Sequence, residues 1–339
     1  MSTELPDAMR AVYTDLAGAN VSAGHELLKS AGFVVDYLDS KDSDAIVIAA
    51  EEASALLVGY AEITRPMIER MQSVKIIALA SMGFDKVDVD AATEHGIWVT
   101  TVVGAATEEV AAHALAMVLH LTRGFNLFGR VVGSSEWNSR ELFAQPRLSE
   151  CTLGLMGLGR IGMKLAELAR PLFGEIIGYD PIIPDTKESR AHFTAAGVRR
   201  VDFETVRSQS QVLSLHLPLN DDTVEMVDSD FLSGMLAGSY LINVSRGGLV
   251  DSVALRASLD GGGLAGAGLD VLEVEPPGPG HPLVGHPRVL ITPHIAYYSV
   301  RSEAEYVRIQ AQNVVSWAER GAPDTPLVSL MSPQLFTHL

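Results

Sequence analysis

The sequence has a single cysteine, no long hydrophobic run and few basic residues. Because Cys151 has no second cysteine to pair with, no internal disulfide can form, and we expect its thiol to be a small core group rather than a reactive one. No apolar stretch reaches the roughly 18 residues that a membrane-spanning helix needs. The first residues lack the basic and apolar segments of a signal peptide. We therefore predict a cytoplasmic protein that binds no membrane.

Positive charge is scarce, because 25 Lys and Arg stand against 42 Asp and Glu, giving a formal net charge of −17. Such a surface repels phosphodiester backbones and anionic headgroups. No Lys and Arg cluster in the sequence offsets it. We predict that the protein binds no nucleic acid, and we predict no metal site.

The length of 339 residues, 47% of them hydrophobic, is enough for two globular domains. Strand-like segments alternate with helix-like segments, which is typical of parallel sheets covered by helices on both faces. Strands are predicted at 9–13, 33–37, 55–58, 75–80, 152–156, 175–179, 212–217, 239–244, 265–269 and 288–291, and helices at 23–31, 64–72, 107–123 and 299–319. Residues 124–150 interrupt this alternation and are predicted to form an irregular arm, lid or subunit contact.

A glycine-rich turn follows the predicted strand at 152–156 and opens a predicted helix. Gly157 permits a tight turn, Gly159 lets the backbone approach a pyrophosphate, and Gly162 lets the helix pack closely on the strand. The pyrophosphate would bind at the helix N-terminus, where the amides are unpaired and the dipole is positive. The turn therefore predicts a dinucleotide site.

An acidic residue ends the next predicted strand and indicates which dinucleotide binds. Asp180 lies 18 residues after Gly162, where a carboxylate accepts hydrogen bonds from the adenosine ribose hydroxyls. It would repel a 2′-phosphate, and the following Pro181 offers no positive charge to bind one. We predict NAD rather than NADP.

Three chemically reactive side chains each follow a later apolar strand, and strand C-termini are where open parallel sheets bind ligands. Arg246 can bind a carboxylate through two parallel hydrogen bonds. His294 can donate a proton to a carbonyl oxygen. Glu275 can orient that histidine and favour its charged form. Together with a hydride from the nicotinamide, this set suits the reduction of a 2-oxo acid.

Each of these residues also has an ordinary structural explanation. Arg246 could be a surface cation, Glu275 a loop acid before two prolines, and His294 a structural histidine with satisfied hydrogen bonds. Their common order behind a dinucleotide turn favours the catalytic interpretation.

Several motifs along the sequence resemble those of a known family. The motifs that carry the resemblance are Gly157-Leu158-Gly159-Arg160-Ile161-Gly162, Leu215-His216-Leu217-Pro218 with Thr223, Asn243-Val244-Ser245-Arg246-Gly247, Leu269-Asp270-Val271 with Glu275-Pro276, and Thr292-Pro293-His294-Ile295. Over essentially the whole chain, the sequence is similar to the D-isomer-specific 2-hydroxyacid dehydrogenases.

The resemblance implies an α/β fold with two doubly wound, Rossmann-like or flavodoxin-like parallel-sheet domains and a cleft between them. Residues 1–103 with 298–339 would form the substrate domain, and 104–297 the NAD domain. Residues 124–150 would be a dimerisation arm, because family members are usually homodimers. Trp137 would lie in that arm, although it could instead be a buried aromatic of its own subunit.

The resemblance also assigns roles to individual residues. Arg246 would orient the substrate, and His294 would be the acid/base with Glu275 as its partner. Residues expected to contact NAD are Thr107, Gly157, Gly159, Arg160, Ile161, Gly162, Asp180, Pro181, His216, Pro218, Thr223, Val244, Ser245, Arg246, Asp270 and His294. Residues expected to contact the substrate are Ser81, Met82, Gly83, Arg246 and Tyr297.

Two departures bear on the substrate. Where phosphoglycerate dehydrogenases tend to carry an arginine, this sequence has Gly59-Tyr60, which favours a small 2-oxo or 2-hydroxy acid over 3-phosphoglycerate. Glu275 argues against formate dehydrogenases, which carry an amide there. The segment Ile295-Ala296-Tyr297-Tyr298-Ser299, with Thr107-Glu108-Glu109-Val110-Ala111, is similar to the branch of C-terminal binding protein corepressors and their bacterial relatives.

Two functions are therefore open. One is an enzyme that interconverts a 2-oxo acid and the D-2-hydroxy acid with NAD(H). The other is an NAD-sensing regulatory protein of the corepressor-like branch. The complete set of Arg246, Glu275 and His294 favours the enzyme.

Overall fold

The computed structural model describes residues 9–16, 18–133, 137 and 145–327. It divides into two compact units, one formed by Met1–Ala105 with Ser299–Leu339 and one by Ala106–Tyr298. The ranges predicted for the domains differ from these bounds by two residues at most, and their roles in binding substrate and NAD stay predictions. No helix within the described ranges is long and apolar enough to cross a membrane.

The first unit begins with five strands that alternate with four helices. These elements are β1 (Arg10–Tyr13), α1 (Ser22–Ser30), β2 (Val34–Tyr37), α2 (Ser43–Ala50), β3 (Ala55–Val58), α3 (Arg65–Ile68), β4 (Ile76–Leu79), α4 (Val89–Glu94) and β5 (Trp98–Thr100). The strands form one parallel sheet in the order β2-β1-β3-β4-β5. Strands β3 and β4 are buried along their whole length, as parallel strands covered on both faces must be.

The second unit contains a seven-stranded parallel sheet in the order β12-β11-β10-β9-β6-β7-β8. Its elements are α5 (Thr107–Thr122), α6 (Phe125–Gly133), β6 (Thr152–Met156), α7 (Arg160–Ala169), β7 (Glu175–Tyr179), α8 (Lys187–Ala195), β8 (Arg199–Arg200), α9 (Phe203–Gln209), β9 (Val212–Leu215), α10 (Ser229–Ser233), β10 (Ser239–Asn243), α11 (Ser252–Asp260), β11 (Leu264–Leu269) and β12 (Val289–Ile291). Short 3-10 turns lie at Leu148–Glu150 and Gly247–Leu249. The fold class predicted from the sequence is confirmed, with two parallel-sheet α/β units.

The final helix, α12 (Val300–Arg320), packs on α1 within the first unit. Its N-cap, Ser299, exchanges side-chain and backbone hydrogen bonds with Ser302 in a capping box. Gln310 is buried and donates to the carbonyls of Val58 and Ala78 at the ends of β3 and β4. These bonds fix the last helix to the sheet.

The prediction that all of 124–150 is irregular is wrong for its first part. Phe125, Phe128, Val131 and Val132 recur at helical spacing, and the segment forms α6. Its glycines obscured this pattern, although a helical glycine costs only about 1 kcal/mol relative to alanine. Trp137 is 88% exposed, so the alternative of a buried aromatic is wrong. The remainder of the predicted arm, 134–136 and 138–144, lies outside the described residues.

Cys151 lies in the core, as the sequence predicted. Its side chain is buried, and burial raises the pKa of the thiol, which keeps the thiol protonated and unreactive.

Candidate active site

The glycine turn between β6 and α7 makes close backbone contacts that leave no room for a side chain at two of its glycines. Gly157 has a φ of +101°, and a Cβ there would lie 2.4 Å from the carbonyl oxygen of His216. A Cβ on Gly162 would lie 2.2 Å from the carbonyl oxygen of Gly157. By contrast, a Cβ on Gly159 would meet nothing within 4 Å. The turn is therefore tight behind the helix start and open in front of it.

The open side of this turn fits a dinucleotide phosphate. Helix α7 begins at Arg160, and its N-cap is Gly159, which has no side chain to cap the first amides. No acidic residue lies in the first turn of the helix. Free amides and an uncompensated helix dipole favour an anion at this position.

Asp180 anchors the turn to the end of β7. Its Oδ2 accepts from the amide of Leu158 at 2.8 Å, and its Oδ1 accepts from the amides of Ile182 and Ile183 at 2.9 and 3.1 Å. The carboxylate is buried, and Oδ2 has capacity for one further donor such as a ribose hydroxyl. Sequence reasoning gave Asp180 only the ribose, whereas the structure shows that it also holds the glycine turn in place.

His216 forms the back of the turn, at the end of β9. Its Nε2 lies 2.9 Å from the hydroxyl of Ser214, and its ring carbon lies near the position that a Cβ of Gly162 would take. Burial lowers the pKa of His216 to about 4, so the ring is neutral at ordinary pH. Among the residues that the structure describes, no group hydrogen-bonds its buried Nδ1.

Two other residues assigned to the cofactor have structural partners in their own loops. The hydroxyl of Thr223 donates to the carbonyl of Pro218 at 2.7 Å and accepts from the amide of Asn220 at 2.9 Å. The hydroxyl of Ser245 donates to the carbonyl of Leu215 at 2.8 Å. These bonds shape the loops after β9 and β10, so any contact with NAD would be made by the loop surfaces that they fix.

Arg246 follows β10 in extended backbone, with φ −139° and ψ 137°. The buried side chain of Asn243 clamps this segment, because its Nδ2 donates to the carbonyl of Arg246 at 2.8 Å and its Oδ1 accepts from the amide of Ser245 at 3.0 Å. Sequence reasoning missed this role of Asn243. The only signal for it was a polar residue at the end of an otherwise apolar strand.

The pair predicted as acid/base and partner is in contact. Nδ1 of His294 lies 2.6 Å from Oε2 of Glu275, and Oε1 of Glu275 accepts from the amide of Leu272 at 2.9 Å. Burial raises the pKa of Glu275, but the hydrogen bonds from His294 and Leu272 and the charges of His294 and Arg246 outweigh it and hold the pKa below its ordinary value. Glu275 is therefore ionised, and the structure places the charge of Arg246 close enough to act on it.

This geometry fixes the direction of the histidine ring. Because Nδ1 faces an ionised carboxylate, it carries a proton and donates a hydrogen bond to Glu275. Nε2 is then the ring atom available to exchange a proton with a ligand. Glu275 and His294 line a pocket of about 610 Å³ whose walls also include Pro276, Val284 and Ile291.

His294 adopts an uncommon backbone conformation, with a φ of +51°. The segment around it is tied to Asp270, whose carbonyl accepts from the amide of His294 at 2.8 Å. The carboxylate of Asp270 accepts from the amides of Ile295 and Ala296 at 3.0 and 2.9 Å. The family resemblance places Asp270 among the NAD contacts, and the structure shows that Asp270 also holds the histidine loop.

The other predicted ligand contacts lie at three places. Thr107 and Arg160 line a second pocket of about 470 Å³ in the second unit. Ser81, Met82 and Gly83 follow β4 in the first unit and are partly buried, and the hydroxyl of Ser81 donates to the carbonyl of Gly83 at 2.6 Å. Tyr297 is partly buried at the end of the second unit.

Among the described residues, no group of three or more His, Cys, Asp or Glu is placed to hold a metal ion.

Comparison with known proteins connects this geometry to a family. Residues 115–296 match the model of the D-isomer specific 2-hydroxyacid dehydrogenase NAD binding domain. The D-3-phosphoglycerate dehydrogenase of Archaeoglobus fulgidus is 30% identical over 308 residues, which are 91% of this chain and 57% of that protein. The glyoxylate reductase of Thermococcus litoralis is 34% identical, with 77% of this chain and 79% of that protein covered. The chain spans about half the length of the phosphoglycerate dehydrogenases that it matches, at 57%, 51% and 50%.

Solved structures agree with these sequence matches. A glyoxylate reductase from Paecilomyes thermophila superposes with a TM-score of 0.85 at 26% identity, covering 95% of this chain and 99% of that one. A D-lactate dehydrogenase from Aquifex aeolicus, complexed with NAD and lactic acid, gives 0.80 at 26% identity, covering 91% and 95%. The chain therefore belongs to the D-isomer specific 2-hydroxyacid dehydrogenase family and contains the NAD binding domain of that family.

Proposed function

We propose that the protein reduces a small 2-oxo acid to the D-2-hydroxy acid with NADH, and catalyses the reverse reaction with NAD. The observation that carries this proposal is the hydrogen bond of 2.6 Å between Nδ1 of His294 and Glu275, with the charge of Arg246 acting on the same carboxylate. An acid/base next to a carboxylate-binding cation is what the reduction of a 2-oxo acid requires.

The residues divide the work as follows. Bound NADH supplies the hydride. Nε2 of His294 gives its proton to the carbonyl oxygen, while Glu275 holds the ring and stabilises its positive charge. Arg246 binds the substrate carboxylate and orients the carbonyl. In the reverse direction, neutral His294 takes the hydroxyl proton as a base.

The glycine turn supports the cofactor contacts at the start of α7, and the family resemblance implies the others. The amides at the start of α7, with Arg160 and Ile161, bind the pyrophosphate beside Gly159. Asp180 accepts from the ribose, and its negative charge with the uncharged Pro181 favours NAD over NADP. The surfaces around His216, Pro218, Thr223, Val244 and Ser245 would complete the site, and Asp270 would lie near the nicotinamide carboxamide. Thr107 adds a contact from the start of α5.

The substrate contacts are carried by the family resemblance. Ser81, Met82 and Gly83 bind the substrate carboxylate through their backbone amides, and Tyr297 flanks the substrate side chain. The apolar and amphipathic side chains of Met82 and Tyr297 suit a small organic acid.

A second candidate substrate is a phosphorylated acid such as 3-phosphoglycerate. The first unit places the Nζ atoms of Lys41 and Lys86 at 5.2 and 5.8 Å from the ring centre of Tyr60. These two charges stand at the loop where the sequence lacks the arginine typical of phosphoglycerate dehydrogenases, and they favour an anionic substrate tail.

One assay separates these candidates. NADH and NADPH oxidation is followed with glyoxylate, hydroxypyruvate, pyruvate, bulkier branched and aromatic 2-oxo acids, and 3-phosphohydroxypyruvate. We expect the highest kcat/KM with NADH and an unphosphorylated acid. Tight NADH binding without turnover of any acid would instead support the NAD-sensing regulatory protein.

We also propose a homodimer whose interface includes the arm after α5. Trp137 is 88% exposed, and Phe125 and Val132 on α6 are 59% and 55% exposed, so this segment presents apolar surface that a second copy can cover. Light scattering of the purified protein tests the dimer, and a monomer at micromolar concentration would refute it.

A further inference from the structure

Asp270 is a buried carboxylate with an unusually complete set of donors. Its side chain is 1% exposed. It accepts from the amides of Ile295 and Ala296, and the hydroxyl of Thr292 donates to its Oδ1 at 2.5 Å. All three donors belong to the segment that carries His294. The carboxylate therefore fixes both sides of the histidine.

A second histidine extends this set. His113 lies in α5, which packs on β11, and its Nε2 lies 2.9 Å from the hydroxyl of Thr292 and 3.7 Å from Oδ1 of Asp270. The Thr292 hydroxyl has one hydrogen, and it donates that hydrogen bond to Asp270. Toward His113 the hydroxyl can therefore act only as an acceptor. Nε2 of His113 must therefore carry a proton.

The result is a chain of hydrogen bonds with one direction, from His113 to Thr292 to Asp270. Aligned hydrogen bonds in a buried site strengthen one another. The chain ends on the carboxylate that holds a segment in which His294 has a left-handed φ of +51°. A non-glycine residue keeps such a conformation only when its surroundings impose it.

We propose that His113 and Thr292 are positioning residues, which act through Asp270 to hold His294 in line with Glu275. This inference rests on the proposed dehydrogenase activity, and it gives two residues outside the reacting set a measurable role. Neither residue has to touch substrate or cofactor for this role. A displacement of about 1 Å of a catalytic group can cost as much as 10²-fold in rate.

The matched variants are Thr292→Val, which removes the hydroxyl at nearly constant shape, and Thr292→Ser, which keeps it. We expect Thr292→Val to lower kcat about 10-fold while KM for the 2-oxo acid and Kd for NADH change less than about threefold, because only the alignment of His294 is altered. Thr292→Ser should recover most of the lost kcat. A serine variant as impaired as the valine variant would overturn the proposal, and so would an unchanged kcat in Thr292→Val.

Coupling gives a second test. His113→Phe should lower kcat by a smaller factor, and the double variant His113→Phe/Thr292→Val should be no slower than Thr292→Val alone, because both changes interrupt one chain. If the two losses multiply in the double variant, the residues act independently and the proposal is wrong.

A measurement without turnover separates this inference from the proposed function. Nitrogen-15 histidine spectra of the full chain should show a proton on Nε2 of His113 with a downfield shift, assigned by its loss in His113→Phe. In Thr292→Val that signal should move upfield and the Nδ1 proton of His294 should also shift, whereas Thr292→Ser should keep both. A His294 proton that is unaffected by Thr292→Val would overturn the inference even if the enzyme assay succeeds. The predicted shifts in a protein that reduces no 2-oxo acid would support the inference and refute only the activity.

Discussion

The two sheets differ in what lies at the same topological position, the point where the strand order reverses. In the first unit the strand order reverses between β1 and β3, and in the second between β6 and β9. Open parallel sheets bind ligands at such a switch point. In the second unit it holds the open glycine turn. In the first unit it is filled by the protein's own carboxylate.

The filling group is Asp15, which follows β1 and is 5% exposed. Its carboxylate accepts from the amides of Gly59, Tyr60 and Ala61 at 3.1, 2.5 and 3.3 Å. These amides could otherwise bind an anion, but they donate their hydrogen bonds to Asp15. The two switch points therefore differ in what occupies them, an open glycine turn in one unit and a buried carboxylate in the other, which shows why function has to be argued from the site and not from the fold.

The largest expected effect tests whether the chemistry belongs to the strand ends of the second unit. His294→Gln should lower kcat about 10³-fold, since the variant loses the general acid. Binding of NADH should weaken far less than turnover, because His294 is only one of the expected NAD contacts and the glycine turn is intact. Stopped-flow and steady-state kinetics with the preferred 2-oxo acid measure the effect. Turnover close to that of the parent would remove His294 from the mechanism.

The next largest effect is the pH dependence of stability. It arises because the glycine turn of the second unit packs against a buried neutral histidine, His216. The pKa of His216 is about 4 in the folded protein, below the ordinary value of 6.5, so the unfolded chain binds more protons between these two pH values. The contribution of this residue to stability is therefore complete above about pH 6.5 and is lost as pH falls to 4. The shift corresponds to roughly 3 kcal/mol.

Urea unfolding of the parent and of His216→Gln across this pH range isolates the effect. Other acidic groups titrate in both proteins, so the quantity of interest is the difference between their free energies of unfolding. That difference should change by roughly 3 kcal/mol in favour of the variant as pH falls. A difference independent of pH would show that His216 is not buried in its neutral form.

An element of the fold could be predicted from the sequence when its pattern lies within a short stretch of residues. Strands β3, β6 and β7 lie at the residues predicted from apolar runs, because a buried parallel strand needs only its own short sequence to be recognised. The glycine turn was predictable for the same reason, since its three glycines fall within six residues, although the contact of Gly157 with the carbonyl of His216 was not. Helix α6 was missed because glycines obscured its period.

The reactive residues of the site could be predicted from the sequence, but the hydrogen bonds that position them could not. Arg246, Glu275 and His294 could be chosen because each follows a strand, and the contact between Glu275 and His294 is seen in the structure. The bond between His113 and Thr292 joins residues 179 positions apart. Such a pair depends on how α5 packs on the sheet, which no local pattern encodes. For the same reason, sequence reasoning missed that Asp180 holds the turn.

A third prediction returns to the filled switch point. Asp15→Asn removes the charge that the three amides of residues 59–61 share, and should lower the free energy of unfolding by about 2 kcal/mol, the usual scale for hydrogen bonds to a charged group. Affinity for NADH should be unchanged, as measured by fluorescence titration. A gain of a second NADH site in the variant would mean that Asp15 alone separates the two units.

The smallest expected effect tests the open side of the glycine turn. Gly159→Ala adds a methyl group that meets no protein atom within 4 Å, so the fold should be unaffected. The same methyl group would stand where the pyrophosphate approaches the backbone, and should weaken NADH binding about 10-fold, an energy of about 1.4 kcal/mol. Gly129→Ala is the matched control, because its Cβ also meets nothing within 4 Å but lies in α6. Equal NADH affinity in the two variants would mean that the phosphate lies elsewhere, and the contrast between an open and a filled switch point would then lose its functional meaning.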